Sequence, residues 1–110
     1  MYPPIKTLSA LALGLLIAGC VSTQEILLAP NFVRLDTHAP FTSEAASQTV
    51  RRAAELTLLN GYTHFRLTPM YWTTGDFGTD VGATVVMFHA GEAGARGAFD
   101  ARTVLASYSQ

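Results

Sequence analysis

The stretch SEAASQTVRRAAELTLLNGYTHFRLT, residues 43–68, decides the fold because its hydrophobic period changes from that of a helix to that of a strand. At 100° per residue, residues 43–59 have one small or apolar side and one charged or amide-bearing side, which predicts an amphipathic helix. Thr42 or Ser43 is expected to cap its N-terminus, and Asn60-Gly61 its C-terminus. The predicted buried stripe consists of Ala46, Val50, Ala53, Ala54, Thr57 and Leu58.

Directly after the cap, residues 62–68 alternate strictly between two faces, which predicts a half-buried strand carrying Phe65 on its inner face. Pro69 is expected to end regular pairing. Residues 79–89 are apolar on both faces, as is typical of a strand in the middle of a sheet. The glycine-rich residues 73–78 between the two strands predict an antiparallel hairpin.

Two further elements complete the expected fold. Residues 32–36 alternate, which predicts a third strand with Val33 and Leu35 on one face. Asp100 is a suitable N-cap for a short helix from residue 101 to about residue 108. We therefore expect an α+β domain over residues 26–110: a small three-stranded antiparallel sheet with the long helix on one face and the short C-terminal helix beside it.

The N-terminus predicts a secretion signal at residues 1–19. Lys6 is the only lysine of the chain, and it precedes an apolar run over residues 8–17. A membrane-spanning helix needs about 20 apolar residues, whereas the apolar part of a signal peptide needs roughly 7–15. The short run, followed by small residues, therefore favours a cleaved leader over a spanning helix.

Ile17-Ala18-Gly19-Cys20 resembles the lipobox of bacterial lipoproteins, which is a branched aliphatic residue, two small residues and a cysteine. The resemblance implies diacylglyceryl transfer to the Cys20 thiol, cleavage before Cys20 and acylation of the new amino group. Residues 20–25 would then be the lipidated N-terminus and a polar tether. Val21 stands where enteric lipoproteins held at the inner membrane have Asp, which implies the outer membrane. An ordinary signal peptide or an N-terminal anchor, with Cys20 incidental, is the alternative.

The helix end Ala53-Ala54-Glu55-Leu56-Thr57-Leu58, followed by Gly61-Tyr62-Thr63-His64-Phe65, resembles a family of small proteobacterial lipoproteins of the outer-membrane type. The later apolar strand and the terminal helix fit the same pattern. The resemblance covers about half of the mature chain, and it implies an envelope lipoprotein with an α+β domain. It implies no activity.

The charge balance and the cysteine count exclude several classes of function. Seven basic and eight acidic residues leave a formal net charge of −1, without the basic stripe that nucleic-acid binding needs. With one cysteine in the chain, no intrachain disulfide can form.

No catalytic motif is evident in the sequence. No Gly-x-Ser-x-Gly elbow is present, and no serine has a histidine and a carboxylate at workable spacing, so we expect no catalytic residues and no enzyme.

Metal and cofactor sites are also not expected. Asp36 with His38 is one candidate pair of ligands, and His64 with His89 is another if Phe65 pairs with Phe88. Neither pair has an evident third ligand, and a structural site needs about four. We therefore predict no metal and no cofactor.

Tyr71, Trp72 and Phe77 are large aromatic residues beside the expected hairpin turn. They are either a surface for a partner, since such residues dominate interface hot spots, or side chains that fold back onto the sheet. The overall expectation is a non-enzymatic envelope lipoprotein, anchored through Cys20 and facing the periplasm, that docks to or scaffolds another envelope protein. The alternative is a periplasmic ligand-binding or sensor module. A polar pocket beside the terminal helix would favour the alternative, and a flat aromatic patch would favour docking.

Overall fold

A computed structural model describes residues 21–108, in which a central strand, β4 (Gly78–Phe88), organises the sheet. Its flanking partners are β2 (Phe32–Ala39) and β3 (His64–Gly75), both antiparallel to it. Outside β2 lies β1 (Ser22–Ala29), and outside the first residues of β3 lies β5 (Phe99–Asp100). The order is β1-β2-β4-β3-β5, so the doubly apolar β4 holds the central position that its composition predicts.

The α+β class is confirmed, but the prediction of three strands is wrong, because the sheet has five. The strand β1 includes Ser22–Glu25, which we expected to be tether, so the folded domain begins before the predicted residue 26. Ser22 pairs with His38 at the start of this strand. All residues of the segment 22–25 are polar, so the alternation of apolar and polar residues that predicts a strand is absent. The strand β5 has only two residues, too few for a periodic pattern.

The strand β3 continues through Pro69 to Gly75, so the expectation that Pro69 ends the pairing is wrong. The register on β4 shifts between Pro69 and Tyr71. No strand pairs with the other side of β3 at Pro69, since β5 pairs only with His64 and Phe65. A proline is tolerated at such an irregular edge position because its missing N–H leaves no partner unpaired. The turn is reduced to Asp76 and Phe77, between paired Gly75 and Gly78. The predicted antiparallel hairpin is confirmed, with a shorter turn and longer arms.

The long helix α1 (Thr42–Leu59) is confirmed, with its buried stripe rotated from the expected one. Phe41 is the N-cap residue, and its side chain makes no hydrogen bond to the first turn of the helix. The prediction of Thr42 or Ser43 as N-cap is therefore wrong. At the other end the Asn60 amide donates to the Leu56 carbonyl at 3.0 Å, as a C-cap should. The buried residues are Ala45, Thr49, Ala53, Ala54, Leu56 and Thr57, whereas Ala46, Val50 and Leu58 are half-buried.

The short helix α2 (Ala101–Tyr108) lies beside α1 on the same face of the sheet, as predicted. Its N-cap is also confirmed, because Asp100 Oδ1 accepts hydrogen bonds from the amides of Arg102 at 3.0 Å and Thr103 at 3.3 Å. The two helices thus cover one face, and we call the opposite face of the sheet the second face.

Two apolar clusters lie under the helices, at opposite ends of the sheet. We call one end the core end, where the two helices meet the start of β3 and the last residues of β4. We call the other the hairpin end, where β1 begins, β2 ends and the β3–β4 turn lies. The core-end cluster comprises Val33, Leu35, Ala53, Ala54, Leu56, Phe65, Val85, Met87 and Ala101, and the hairpin-end cluster comprises only Ala39, Ala45 and Val81 with Val21 against them.

The loop after β4 covers the core end of the second face. Gly94 lies on the Phe88 ring so closely that a Cβ at residue 94 would be 2.1 Å from that ring. The Arg66 guanidinium holds the loop by donating to the carbonyls of Gly94 at 3.2 Å and Arg96 at 2.5 Å. The hairpin end of the second face has no such loop over it among residues 21–108.

Candidate interaction surfaces

The three aromatic residues predicted as a partner surface lie in three different places. Consecutive side chains of a strand point to opposite faces, so Tyr71 lies on the second face and Trp72 on the helix-covered face. Phe77 lies in the turn and is 91% exposed. The structure therefore does not bring the three together as one flat patch.

Tyr71 lies across the sheet above Gly82. A Cβ at residue 82 would be 2.0 Å from Tyr71 Cε1, so only glycine leaves room for the ring in this position. The ring spans β4, and the phenol hydroxyl donates to Asp36 Oδ1 on β2, the next strand but one, at 2.6 Å. That hydrogen bond raises the pKa of Tyr71, and partial desolvation and the negative charge of Asp36 raise it further, against a smaller lowering by Arg34.

A small polar cleft of about 190 Å³ lies beside Tyr71 at the hairpin end of the second face. Asp36 in its wall is 3.3 Å from Arg34 Nε, and His38 Nδ1 is 2.8 Å from Asp80 Oδ1. Asp36 is thus paired with Arg34 beside the cleft and with Tyr71 in its wall, and Asp80 is paired with His38. The remaining lining residues are Ser22, Gln24 and Thr37.

The candidate metal ligands are not assembled into a site. His64 pairs opposite Phe88 instead of His89, because the register differs by one residue from the one we considered. The His89 ring stacks on Tyr62, with 4.4 Å between ring centroids. Among residues 21–108, no three His, Cys, Asp or Glu side chains are grouped closely enough to hold a metal ion.

Trp72 borders an apolar groove of about 180 Å³ between α1 and the sheet. The ring lies level with Val81 and is 49% exposed, so it packs on one side and meets solvent on the other. The hydroxyl of Thr49 in the groove wall donates to the Ala45 carbonyl at 2.7 Å and is hydrogen-bonded to Thr37 Oγ1 at 2.9 Å, so it has partners within the fold. The other lining residues are Ala46, Val50, Leu67, Pro69, Val81 and Ala83.

The outer edge of β1 is a surface that the sequence analysis missed. No strand of residues 21–108 pairs with it, and Ile26, Leu27 and Leu28 are all about half exposed or more. The one charged residue of β1, Glu25, accepts a short hydrogen bond from Arg52 of α1. The apolar run before Pro30 was a usable signal, but only the pairing with β2 shows that it forms a sheet edge.

Two exposed phenylalanines lie at the hairpin end. Phe77 is in the β3–β4 turn, and Phe41, which is 65% exposed, is in the connection between β2 and α1. Water contacts most of both side chains in the isolated domain, which is unfavourable in proportion to the apolar area left in contact with it.

Comparison with known proteins finds no matching family model, no matching curated protein and no matching solved structure. Neither helix within residues 21–108 is long and apolar enough to cross a membrane. The predicted lipid attachment site, Cys20, and the signal peptide at residues 1–19 lie outside the described residues. The site therefore has to be interpreted from its own geometry.

Proposed function

We propose that this protein is an envelope lipoprotein, anchored in the membrane by lipid on Cys20, whose domain binds another envelope protein and carries out no chemistry. The observation that carries the proposal is the open outer edge of β1, which is apolar over residues 26–28. An unpaired strand edge presents a row of free backbone donors and acceptors, to which an extended segment of a partner can add as a further strand.

The side chains of β1 suit that role. Natural proteins usually protect a sheet edge with charges, prolines or short strands. Here β1 has eight residues, and its only charge, Glu25, is held against α1 by Arg52. The hydrogen bond from Arg52 to Glu25 raises the pKa of Arg52, as expected for a guanidinium that stays paired. The edge is therefore long and lacks a free charge that would repel a partner strand.

The lipid anchor and the location rest on the residues around Cys20. The match of Ile17-Ala18-Gly19-Cys20 to a lipobox supports lipidation, and Val21 supports transport to the outer membrane, with the domain in the periplasm. One acyl chain binds a membrane marginally, whereas two or more give durable attachment.

The alternative function, a periplasmic ligand-binding or sensor module, has less support. Small-molecule sites usually have volumes of about 300–1,000 Å³. The polar cleft and the Trp72 groove measure only about 190 Å³ and 180 Å³. A depression of about 430 Å³ beside the first turns of α1, between Ser43 and Arg51, is large enough, but it is more open to solvent than either of them and would bury little of a ligand. A groove of the size beside Trp72 suits one side chain of a partner better than a complete metabolite.

Site-specific photocrosslinking in intact cells tests the partner proposal. A photoreactive residue at Leu28 on the β1 edge should give one protein adduct, identified by mass spectrometry. The same residue at Leu59, an exposed leucine at the end of α1, is the matched control and should give none. Adding Ile26→Lys to the Leu28 reporter should abolish the adduct, because a charge on the edge opposes strand addition. Equal labelling from both positions, or an adduct that is only a second copy of this chain, would contradict the proposal.

The anchor is tested separately by mass spectrometry of the mature N-terminus. We expect a peptide that begins at Cys20 and carries the mass of three acyl chains, and an unprocessed or misplaced precursor from Cys20→Ala. A mature protein that begins at any other residue would rule out the lipoprotein assignment.

A further inference from the structure

The domain stands directly beside the proposed lipid anchor, on which this inference rests. Strand β1 begins at Ser22, only two residues after Cys20. Consecutive Cα atoms are 3.8 Å apart, so the Cα atom of Cys20 lies within about 8 Å of that of Ser22. No tether separates the folded sheet from the lipid, and the end of the sheet at Ser22 therefore has to lie at the membrane surface.

Strand pairing identifies what else lies at that end. Ser22 pairs with His38, His38 with Asp80, and Asp80 with Thr73, so these four residues form one row across the sheet. Neighbouring strands are about 4.8 Å apart, which places Thr73 about 15 Å from Ser22. Four strands thus present one common end to the membrane.

The β3–β4 turn extends beyond this row. The last pair before the turn, Gly75 with Gly78, is two residues past Thr73, which is about 7 Å at 3.3 Å per residue. Cys20 precedes Ser22 by two residues in the sequence, so covalent geometry limits it to about the same distance beyond the row as the turn reaches. Phe77 lies in this turn, and Phe41 lies two residues after Ala39, the last residue of β2.

We propose that Phe77 and Phe41 insert into the bilayer surface beside the lipid of Cys20, as a second, protein-borne attachment to the membrane. Both rings are exposed in the isolated domain, and hydrocarbon is the environment in which such rings are most favourably placed. The lipid anchor brings them to the bilayer without further cost in translational freedom. The hairpin end would then have a fixed orientation on the membrane, and the β1 edge would stand upright beside it.

The charge of this end indicates which kind of lipid contact is involved. Residues 38–44 and 73–80 contain no lysine or arginine, and they include the acidic residues Glu44, Asp76 and Asp80. Attraction to anionic headgroups therefore does not hold this end on the membrane, and the apolar contact does. We expect insertion to be as strong on a zwitterionic bilayer as on an anionic one, or stronger.

Depth-dependent fluorescence quenching tests the insertion. The full chain is expressed with its leader, purified as the lipidated protein and reconstituted into phosphatidylethanolamine–phosphatidylcholine vesicles with brominated acyl chains. Trp72→Phe with Phe77→Trp leaves one tryptophan, at the turn. Trp72→Phe with Leu28→Trp is the matched control, because Leu28 is also exposed but lies at the opposite end of β1. We expect the bromine to quench the turn tryptophan several-fold more strongly than the control.

Three results would overturn the proposal, and they are distinguishable. Equally weak quenching of both reporters, on protein whose mass shows the acylated Cys20, would refute insertion and leave the lipoprotein assignment intact. A turn tryptophan that is shielded from aqueous quenchers but not quenched by bromine would show a protein occupant instead of lipid. Loss of the acylated mass would refute the proposed function together with this inference. Phe41→Trp in the Trp72→Phe background gives a second reporter, which should behave as the turn reporter does.

Discussion

At the core end of the sheet the helices enclose large side chains, whereas at the hairpin end they enclose small ones. Phe65 and Met87 are completely buried beneath both helices at the core end. At the hairpin end, α1 packs its Ala45 on Ala39 and Val81 of the sheet, and Phe77 projects into solvent. The stabilisation from burial scales with the apolar area removed from water, so most of it must come from the core end.

The residues that stabilise the fold and the residues available for binding therefore lie in different parts of the domain. The residues available to a partner or a bilayer are at the hairpin end and along β1, and they contribute little to the core. Function can therefore be changed there without unfolding the domain, whereas changes at the core end should act on the fold alone. The following experiments test this division, beginning with the largest expected effect.

Phe65→Ala should cost about 3–5 kcal/mol of unfolding free energy, because it opens a cavity in the largest cluster. Urea denaturation of the mature protein measures it through the midpoint at constant slope. Phe77→Ala is the matched control and should change the free energy of unfolding by less than about 0.5 kcal/mol. Equal losses from the two variants would show that the hairpin end stabilises the fold as much as the core end.

Gly82→Ala should cost about 1–3 kcal/mol, because its Cβ would overlap the Tyr71 ring and force the side chain away from Asp36. Gly75→Ala is the control, since its Cβ would meet no atom within 4 Å. A double-mutant cycle with Tyr71→Ala should recover part of the loss, because the overlap is then absent. If Tyr71→Ala gives no recovery, the close approach of the ring to Gly82 is not the cause.

Trp72→Ala should cost about 1–1.5 kcal/mol, roughly half of what a fully buried aromatic contributes, because half of its ring is buried in the groove. Met70→Ala, at the irregular position between Pro69 and Tyr71, is the control and should cost less. Thermal and urea unfolding measure both. If Trp72→Ala leaves the free energy of unfolding unchanged, the ring does not stabilise the fold and its role is limited to contact with a partner.

Tyr71→Phe should have the smallest effect, below about 1 kcal/mol, because the hydrogen bond to Asp36 is exposed and screened. The hydrogen bond from Tyr71 to Asp36 can be recognised by the pH dependence of the unfolding free energy. The folded state raises the pKa of Tyr71, so the stabilisation is fully present below the unfolded pKa near 10 and is lost as pH rises through the folded pKa. Unfolding midpoints at pH 8 and above pH 10 should show that Tyr71→Phe removes this alkaline loss, whereas Tyr108→Phe at the end of α2 should retain it. An unchanged alkaline loss in Tyr71→Phe would assign it to another group.

The sequence by itself determined the elements whose period repeats over many residues. The helix α1, the inner faces of β2 and β3, the central place of β4 and the Asp100 cap of α2 all follow from local patterns. Those patterns work because a helix or strand repeats its contacts every 3.6 or 2 residues, whatever its partners are. The same patterns placed Phe65 and Val50 on the inner sides of their elements, and Phe65 is buried in the core-end cluster with Val50 half-buried against it.

Only the tertiary structure decided the edges and the register of the sheet. The strand β1 exists because β2 offers it a partner, and β3 continues past Pro69 because β4 extends beside it. A difference of one residue in register turned Phe88 to the face opposite Phe65 and separated His64 from His89. Tyr71 and Trp72 are adjacent in the chain, yet the sheet lies between their side chains. Such contacts join residues distant in the chain, and a local pattern contains no information about which distant strand will be its partner.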